Sequence, residues 1–112
     1  MITIATLHTA TPQQVFDQAV THLRSQGVAA KNETHECMYR TPNGLKCAAG
    51  CFIADSEYRK TMENTPWSAF GPESHKDLIK ALQHCHDDNT PSEWESEFER
   101  IAQKYKLDYS KQ

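Results

Sequence analysis

Residues 35–53 read HECMYRTPNGLKCAAGCFI, and this stretch decides the fold that the sequence predicts. It contains the strongest turn signal in the chain, Pro42-Asn43-Gly44, because proline sets φ for an early turn position and Asn-Gly tolerates positive φ. The flanking residues 37–40 and 45–48 are short and partly alternate in polarity. We therefore predict a β-hairpin, which needs helices on one face because an isolated hairpin is unstable in water.

The helix before the hairpin has clear signals at both ends. Thr11 can cap it, Pro12 suits its first position, and Gln14 completes a capping box. Gly27 provides a C-cap, so we predict a helix over residues 12–26. The apolar side chains of this segment recur at helical spacing and form one face: Val15, Phe16, Ala19, Val20 and Leu23.

Two further long helices and one short helix are predicted after the hairpin. The first long helix starts at Ser74 and runs to about residue 86, and the second follows residues 90–93, whose sequence TPSE is another capping box. A short helix opens at Asp55 or Ser56. The predicted fold class is therefore α+β and mostly helical, with three main helices and a short one packed on a small β-hairpin or three-stranded antiparallel sheet.

The length of the chain, 112 residues, predicts a single domain over 1–112. Residues 1–8 alternate weakly, so residues 1–10 are expected to form a strand or an arm, and residues 108–112 are expected to fray. Residues 1–5 contain no basic residue, and no run approaches about 18 apolar residues, so we expect neither a signal peptide nor a membrane span. The expected location is the cytoplasm, where the four cysteines are reduced.

Charge argues against nucleic-acid binding, because the net charge is −3 and general nucleic-acid binders are usually basic. Residues 87–99 form an acidic run without Lys or Arg, and its last helix carries Glu95, Glu97 and Glu99. One interpretation is an ordinary solvated face. The other is an anionic surface that docks a basic site on a host protein, since charge complementarity steers association.

A second candidate surface combines the hairpin tip with a loop over residues 61–73. Its partner-binding candidates are Arg40, Asn43, Lys46, Trp67 and Phe70. Pro66 and Gly71-Pro72 break regular structure in the loop. The two aromatic side chains of the loop either fold back onto the core or form an exposed patch for a partner.

The cysteines and histidines permit a zinc site. Its candidate ligands are Cys37, Cys47, Cys51 and either His84 or His86. Only Cys47 and Cys51 have the tight spacing of a zinc knuckle, and the alternative is that the cysteines are small buried hydrophobic residues. Residues 84–88, HCHDD, place imidazole beside carboxylate, which suits metal binding or general-base chemistry but also a polar helix end. A cysteine nucleophile paired with His86 is a further alternative.

Residues 37–50 also carry a resemblance, through Cys-x-Tyr-Arg-x-Pro-x-Gly-x-Lys-Cys-Ala-x-Gly. This motif resembles one found in small uncharacterised proteins of bacteriophages and prophages. Residues 77–83, His86-Asp87, Trp94 and residues 14–17 are similar to the rest of that pattern, so the resemblance spans about residues 12–107. The resemblance implies a phage origin and an intracellular location. It implies no particular activity and assigns no role to any residue.

Because no motif fixes a reaction, the sequence favours a binding protein over an enzyme. The leading hypothesis is a small phage-encoded intracellular protein that binds a host macromolecule without a cofactor. The partner is a host protein rather than nucleic acid, and the chain inhibits a host or defence protein through its acidic surface. The alternative is a zinc-stabilised module or a small metal-dependent enzyme that uses the Cys/His cluster.

Overall fold

The computed structural model describes residues 1–111, in which three α-helices are joined by long irregular segments. Helix α1 spans Pro12–Gln26, α2 spans Lys76–Asp88 and α3 spans Trp94–Tyr105. Single turns of 3-10 helix occupy Leu7–Thr9, Gly50–Phe52, Lys60–Met62, Trp67–Ala69 and Pro91–Glu93. Within residues 1–111, the helices are all too short or too polar to cross a lipid bilayer.

The ends of α1 agree with the sequence signals. Thr11 Oγ1 accepts a hydrogen bond from the Gln14 N–H, and the Gln14 side chain accepts one from the Thr11 N–H. Gly27 ends the helix in the left-handed region, with φ at 72°, and its N–H donates to the Leu23 carbonyl. The predicted helix over residues 12–26 is therefore confirmed.

Helices α2 and α3 begin less regularly than α1. The residue before α2, His75, has a left-handed φ of 61° and makes no side-chain capping bond, so Ser74 does not open this helix. The capping box predicted at residues 90–93 is present. It caps one turn of 3-10 helix, Pro91–Glu93, which continues directly into α3.

The middle of the chain does not form the predicted β-hairpin. The described residues form a helical fold without a sheet, so the predicted α+β class is wrong. The predicted turn is present, since the Gly44 N–H donates to the Thr41 carbonyl and Gly44 has φ of 90°. No strand extends from it. The described chain contains only two isolated bridges, Arg40 with Lys46 and Lys31 with Cys37.

Side chains take the backbone hydrogen bonds that a neighbouring strand would otherwise make. The Glu63 carboxylate accepts from the N–H groups of Tyr39 and Arg40. The Gln26 side chain, at the end of α1, accepts from the Lys46 N–H. Because a buried backbone N–H needs one partner, these acceptors satisfy the segment and no ladder forms beyond the single bridge at the turn.

Three glutamines of α1 each bind the backbone of a distant segment. Gln18 accepts from the Ile2 N–H and donates to the Ile2 carbonyl. Gln26 does the same to Lys46. The third pair is Gln13 with Asp108. A primary amide has the same donor and acceptor as a peptide group, so α1 holds these segments much as a strand edge would.

Side chains of α1 hold both ends of the described chain, for which a strand or arm over 1–10 and a frayed tail over 108–112 were the predictions. Residues 1–10 contain a 3-10 turn at Leu7–Thr9 in place of an edge strand, and Leu7 is fully buried. The C-terminal tail lies along α1, where Arg24 donates to the Ser110 carbonyl. Gln112, the last residue of the tail that was predicted to fray, lies outside the described residues.

The short helix predicted after residue 54 is a turn. The Ala54 carbonyl accepts from the N–H groups of Glu57 and Tyr58, and residues 55–57 do not continue into a helix. Asp55, a predicted cap, instead pairs with Arg40 at 2.9 Å. Its carboxylate is therefore directed to the guanidinium rather than to a helix N-terminus.

The core lies where α1, α2 and α3 meet the buried segment 47–53. Helix α2 packs against both α1 and α3. Gly50 brings the buried segment close to the strand-like residues before the turn, because a Cβ at Gly50 would lie 2.0 Å from the Tyr39 carbonyl oxygen. The fully buried large side chains include Phe16, Leu23, Phe52, Ile79, Leu82 and Phe98.

Candidate functional site

A groove of about 650 Å³ lies between α2 and the irregular segments 37–39 and 64–68, and we call it the α2 groove. This volume falls in the usual range for ligand sites, roughly 300–1,000 Å³. One wall comes from segments 37–39 and 64–68, and its apolar side chains include Met38, Tyr39 and Trp67 beside the polar Asn64, Thr65 and Ser68. The other wall is a polar face of α2 with residues at helical spacing: Lys76, Asp77, Lys80, Gln83, His84 and Asp87.

His86 lies behind this polar face and fixes Asp87. Its side chain is fully buried, and its Nε2 accepts a hydrogen bond from the Ala30 N–H at 2.9 Å. A backbone N–H can only donate, so Nε2 carries no proton and the neutral ring has its proton on Nδ1. Nδ1 then donates to Asp87 Oδ1 at 2.8 Å. His86 therefore orients Asp87 without cancelling its charge.

The Asp87 carboxylate is ionised at neutral pH. Burial acts to raise its pKa, but the neighbouring His86, Cys37 and Gln83 side chains together lower it below its usual value. Gln83 also donates to Oδ1, at 2.8 Å. Both hydrogen bonds end on Oδ1, which leaves the lone pairs of Oδ2 for the weak Cys37 thiol donor or for a group in the groove.

Cys37, His86 and Asp87 have the chemistry of a metal site. One ligand atom from each residue lies within 4.8 Å of the others. A histidine that binds a metal normally donates its second ring N–H to the protein. Here the second nitrogen accepts from Ala30 instead, so a metal on Nδ1 would require an imidazolate or loss of the Ala30 hydrogen bond. The residue types fit zinc, and the hydrogen bonding opposes it.

Of the four predicted zinc ligands, the structure brings only Cys37 and His86 together. Cys47 is fully buried, and its Sγ accepts from the Gly50 N–H. The Cys51 thiol donates to a backbone carbonyl in the same buried segment. His84, the alternative ligand, lies on the exposed side of α2, where it pairs with Asp88.

Burial keeps the thiols protonated. It raises the pKa of Cys37 to about 11 and the pKa of Cys51 and Cys85 to about 12. It also raises the pKa of Cys47. Because the thiolate is the reactive form of cysteine, the predicted pairing of a cysteine nucleophile with His86 lacks its active species at neutral pH.

Arg40, predicted at the hairpin tip, has a structural role. Its guanidinium pairs with Asp55, donates to the Ile53 carbonyl and lies 4.7 Å from the centre of the Tyr58 ring. Asn43 is exposed at the turn. The Lys46 backbone is bonded to Gln26, which holds this residue against α1. Of these three predicted partner-binding residues, Asn43 is therefore exposed, and Arg40 and Lys46 are partly buried.

The two loop aromatics fold back onto the core. Trp67 is 6% exposed, so it does not form an exposed patch. Phe70 is half-buried and packs edge-on against both Tyr39 and Trp67, with ring centres 5.3 and 5.4 Å away. Phe70 therefore packs behind Tyr39 and Trp67, the two aromatic residues that line the α2 groove.

The acidic run of α3 is partly neutralised by arginines. Glu95 pairs with Arg24 of α1 at 2.7 Å, and Glu97 pairs with Arg100 in the next turn. Glu99 is exposed, and the described residues supply it with no ion pair. The predicted anionic surface is therefore reduced to a few scattered carboxylates, because two of its three glutamates already have cationic partners.

Sequence reasoning found Asp87 only as part of the segment HCHDD and missed the groove. A signal was available, since polar residues recur along α2 on the side opposite the buried Leu78, Ile79 and Leu82. An ordinary solvated helix has the same pattern. The opposing wall comes from an irregular loop, and no local pattern places that loop across from α2.

No protein-family model, curated protein or solved structure matches the chain.

Proposed function

We propose that the chain is a binding protein that holds part of a host protein in the α2 groove, in the cytoplasm of a bacterial cell. The observation that carries the proposal is the composition of the groove walls. Apolar side chains of Met38, Tyr39 and Trp67 lie opposite an ionised and oriented carboxylate, Asp87. Apolar walls with a few fixed polar groups are typical of specific binding sites.

The resemblance of residues 37–50 to small phage proteins supports a host protein as the partner. The same motif supplies Cys37 and Tyr39 to the groove wall. Its Gly50 permits the close contact that positions the Tyr39 backbone. A phage protein that occupies a site on a host or defence protein acts as its inhibitor, and we assign that role to this chain.

The chemistry of the groove favours binding over catalysis. The Cys37 thiol has a pKa of about 11 and is protonated in the cell. Both ring nitrogens of His86 are engaged inside the protein, so this imidazole cannot exchange a proton with a substrate. Asp87 already accepts two hydrogen bonds on one oxygen. These groups are held in fixed states, which suits recognition.

A groove-filling substitution tests the proposal. Ser68 is exposed and lines the groove, so Ser68→Trp should occupy the volume, whereas Ser56→Trp is a matched control at an exposed serine that does not line it. A partner is first recovered with the tagged wild-type chain from bacterial lysate and then purified. By isothermal titration calorimetry, we expect equal affinity for the wild type and Ser56→Trp, and about 100-fold weaker binding for Ser68→Trp. Equal affinity for all three chains would rule out the groove as the site.

Metal binding is a second candidate, favoured by the proximity of Cys37, His86 and Asp87. A zinc titration followed by NMR distinguishes it. A metal on His86 Nδ1 either breaks the Ala30 hydrogen bond or strengthens it by making the ring an imidazolate. In both cases stoichiometric binding should move the Ala30 amide resonance strongly, and it should be lost in Cys37→Ser. An unmoved Ala30 resonance at one equivalent of zinc would exclude this candidate.

A further inference from the structure

We infer that the α2 groove receives an arginine side chain of the partner, with the guanidinium on Asp87. This inference rests on the proposed function and names the group that the groove recognises. It is carried by the charge of Asp87, by the shape and chemistry of the groove walls and by the placement of the other charged groups around it.

The negative charge of Asp87 has no cationic partner in the described part of the chain. The group within ion-pair distance is His86, and this ring is neutral because its Nε2 accepts from the Ala30 N–H. The Asp87 side chain is 30% exposed and lines the groove. Hydrogen bonds from His86 and Gln83 to Oδ1 keep Asp87 ionised, and a cation entering the groove would add a charge-assisted hydrogen bond to Oδ2.

The opposite wall suits the rest of an arginine side chain. Met38 and Tyr39, with the small exposed part of Trp67, offer apolar surface on which an aliphatic stem can be buried. A guanidinium also stacks on aromatic rings and is more weakly hydrated than an ammonium group. An arginine therefore uses both walls at once, whereas a small inorganic cation would use only the polar groups at and around Asp87.

The other charged groups on this face of α2 leave Asp87 as the partly buried carboxylate of the groove that has no cationic partner within residues 1–111. Lys76 is paired with Glu73 at 3.1 Å, and His84 is paired with Asp88. Asp77 and Lys80 are exposed and form no ion pair within residues 1–111. Lys80 lies seven residues before Asp87, about 10 Å along the helix axis. Its charge repels a second cation at the far end of the groove and moderates the affinity for the first.

The test uses the full chain labelled with ¹⁵N and two small probes. One probe is N-acetyl-arginine amide, and the other is N-acetyl-citrulline amide, which has the same shape without the charge. We expect the arginine probe to shift the amide resonances of Tyr39, Gln83 and Asp87 with a Kd of about 1 mM. The citrulline probe should bind at least about tenfold more weakly, because it lacks the charge-assisted bond. Equal affinity of the two probes would overturn the inference.

Two single substitutions should change the affinity in opposite directions. Asp87→Asn keeps the shape and should weaken the arginine probe about tenfold. Lys80→Gln removes the like charge and should strengthen it about twofold. If N-acetyl-glutamate amide binds instead and Lys80→Gln abolishes that binding, the groove takes an anion and the inference is wrong. Lys80→Gln and the probe pair remain decisive should Asp87→Asn fail to fold.

The purified partner separates this inference from the proposed function. One possible result is that the partner binds Asp87→Asn as tightly as the wild type but fails to bind Ser68→Trp. That result would leave the groove as the binding site and overturn its preference for arginine. A partner that is unaffected by Ser68→Trp removes the groove itself, and with it both proposals.

Discussion

Arg24 of α1 and Glu95 of α3 form a bidentate ion pair. Nε donates to Glu95 Oε2 and Nη2 donates to Oε1, each at 2.7 Å. The Tyr109 hydroxyl donates to the same carboxylate. Two helices and the C-terminal tail therefore meet at one glutamate. The hydrogen bonds from Arg24 lower the pKa of Glu95, although both side chains are partly exposed.

We expect Glu95→Gln to lower the free energy of unfolding by about 1 kcal/mol, after allowance for solvent screening of a partly exposed pair. Glu99→Gln on the same helix is the control and should change stability by less than about 0.5 kcal/mol, since Glu99 is exposed. Urea unfolding of both variants at neutral pH measures the difference. Equal stability of the two variants would show that the pair adds nothing measurable.

The hydrogen bond between Ala30 and His86 should be important for stability. His86→Phe keeps an aromatic ring against Trp94, whose ring centre lies 5.7 Å from that of His86. It leaves the buried Ala30 N–H without an acceptor, which should cost about 1–3 kcal/mol. Urea unfolding measures the loss, and hydrogen exchange should show faster exchange at Ala30. Unchanged exchange at this amide would contradict the assigned role of Nε2.

His22 makes stability depend on pH. Burial lowers the pKa of His22 below 6.5, against the opposing effect of its hydrogen bond to the Lys46 carbonyl. The unfolded chain therefore binds more protons than the folded chain just below pH 6.5, so stability should fall as the pH decreases from about 6.5 toward the folded pKa. Unfolding free energies measured between pH 7.5 and 5 should show a smaller slope in His22→Gln. His8→Gln, at an exposed histidine, is the control, and the same slope in both variants would be inconsistent with this assignment.

Two glycines should respond differently to alanine. At Gly50 an added Cβ would lie 2.0 Å from the Tyr39 carbonyl oxygen, so we expect a loss of about 3 kcal/mol or failure to fold. At Gly27 no atom lies within 4 Å of an added Cβ, and only the positive φ opposes the change. That substitution should cost about 1 kcal/mol. Thermal unfolding compares the two variants, and a Gly50→Ala protein as stable as Gly27→Ala would refute the close approach.

Sequence reasoning succeeded where the physical signal is local. Thr11 and Gln14, three residues apart, form the expected capping box. The turn at Gly44 also formed, because its conformation depends on neighbouring residues. The hairpin did not form, because the competing acceptors, Gln26 and Glu63, lie far from the turn in the sequence. Short-range patterns contain no information about which distant side chain will reach a given N–H.

The same limit applies to the candidate site. The sequence marked His86 and Asp87 as chemically interesting, and the structure does place them together. Their hydrogen-bonding roles depend on Ala30, which is 56 residues from His86. The sequence alone predicts unpaired carboxylates in the acidic run, because Arg24, the partner of Glu95, is 71 residues away. In both cases the decisive contact is long-range.

The glutamines of α1 have a consequence for how this chain can vary. Gln18 and Gln26 bind the backbones of Ile2 and Lys46, so the side chains at positions 2 and 46 are not part of those hydrogen bonds. The glutamines are constrained by chemistry, since even glutamate would lose the donor half of the pairing. These hydrogen bonds should therefore survive substitution at positions 2 and 46 and be lost on substitution of Gln18 or Gln26.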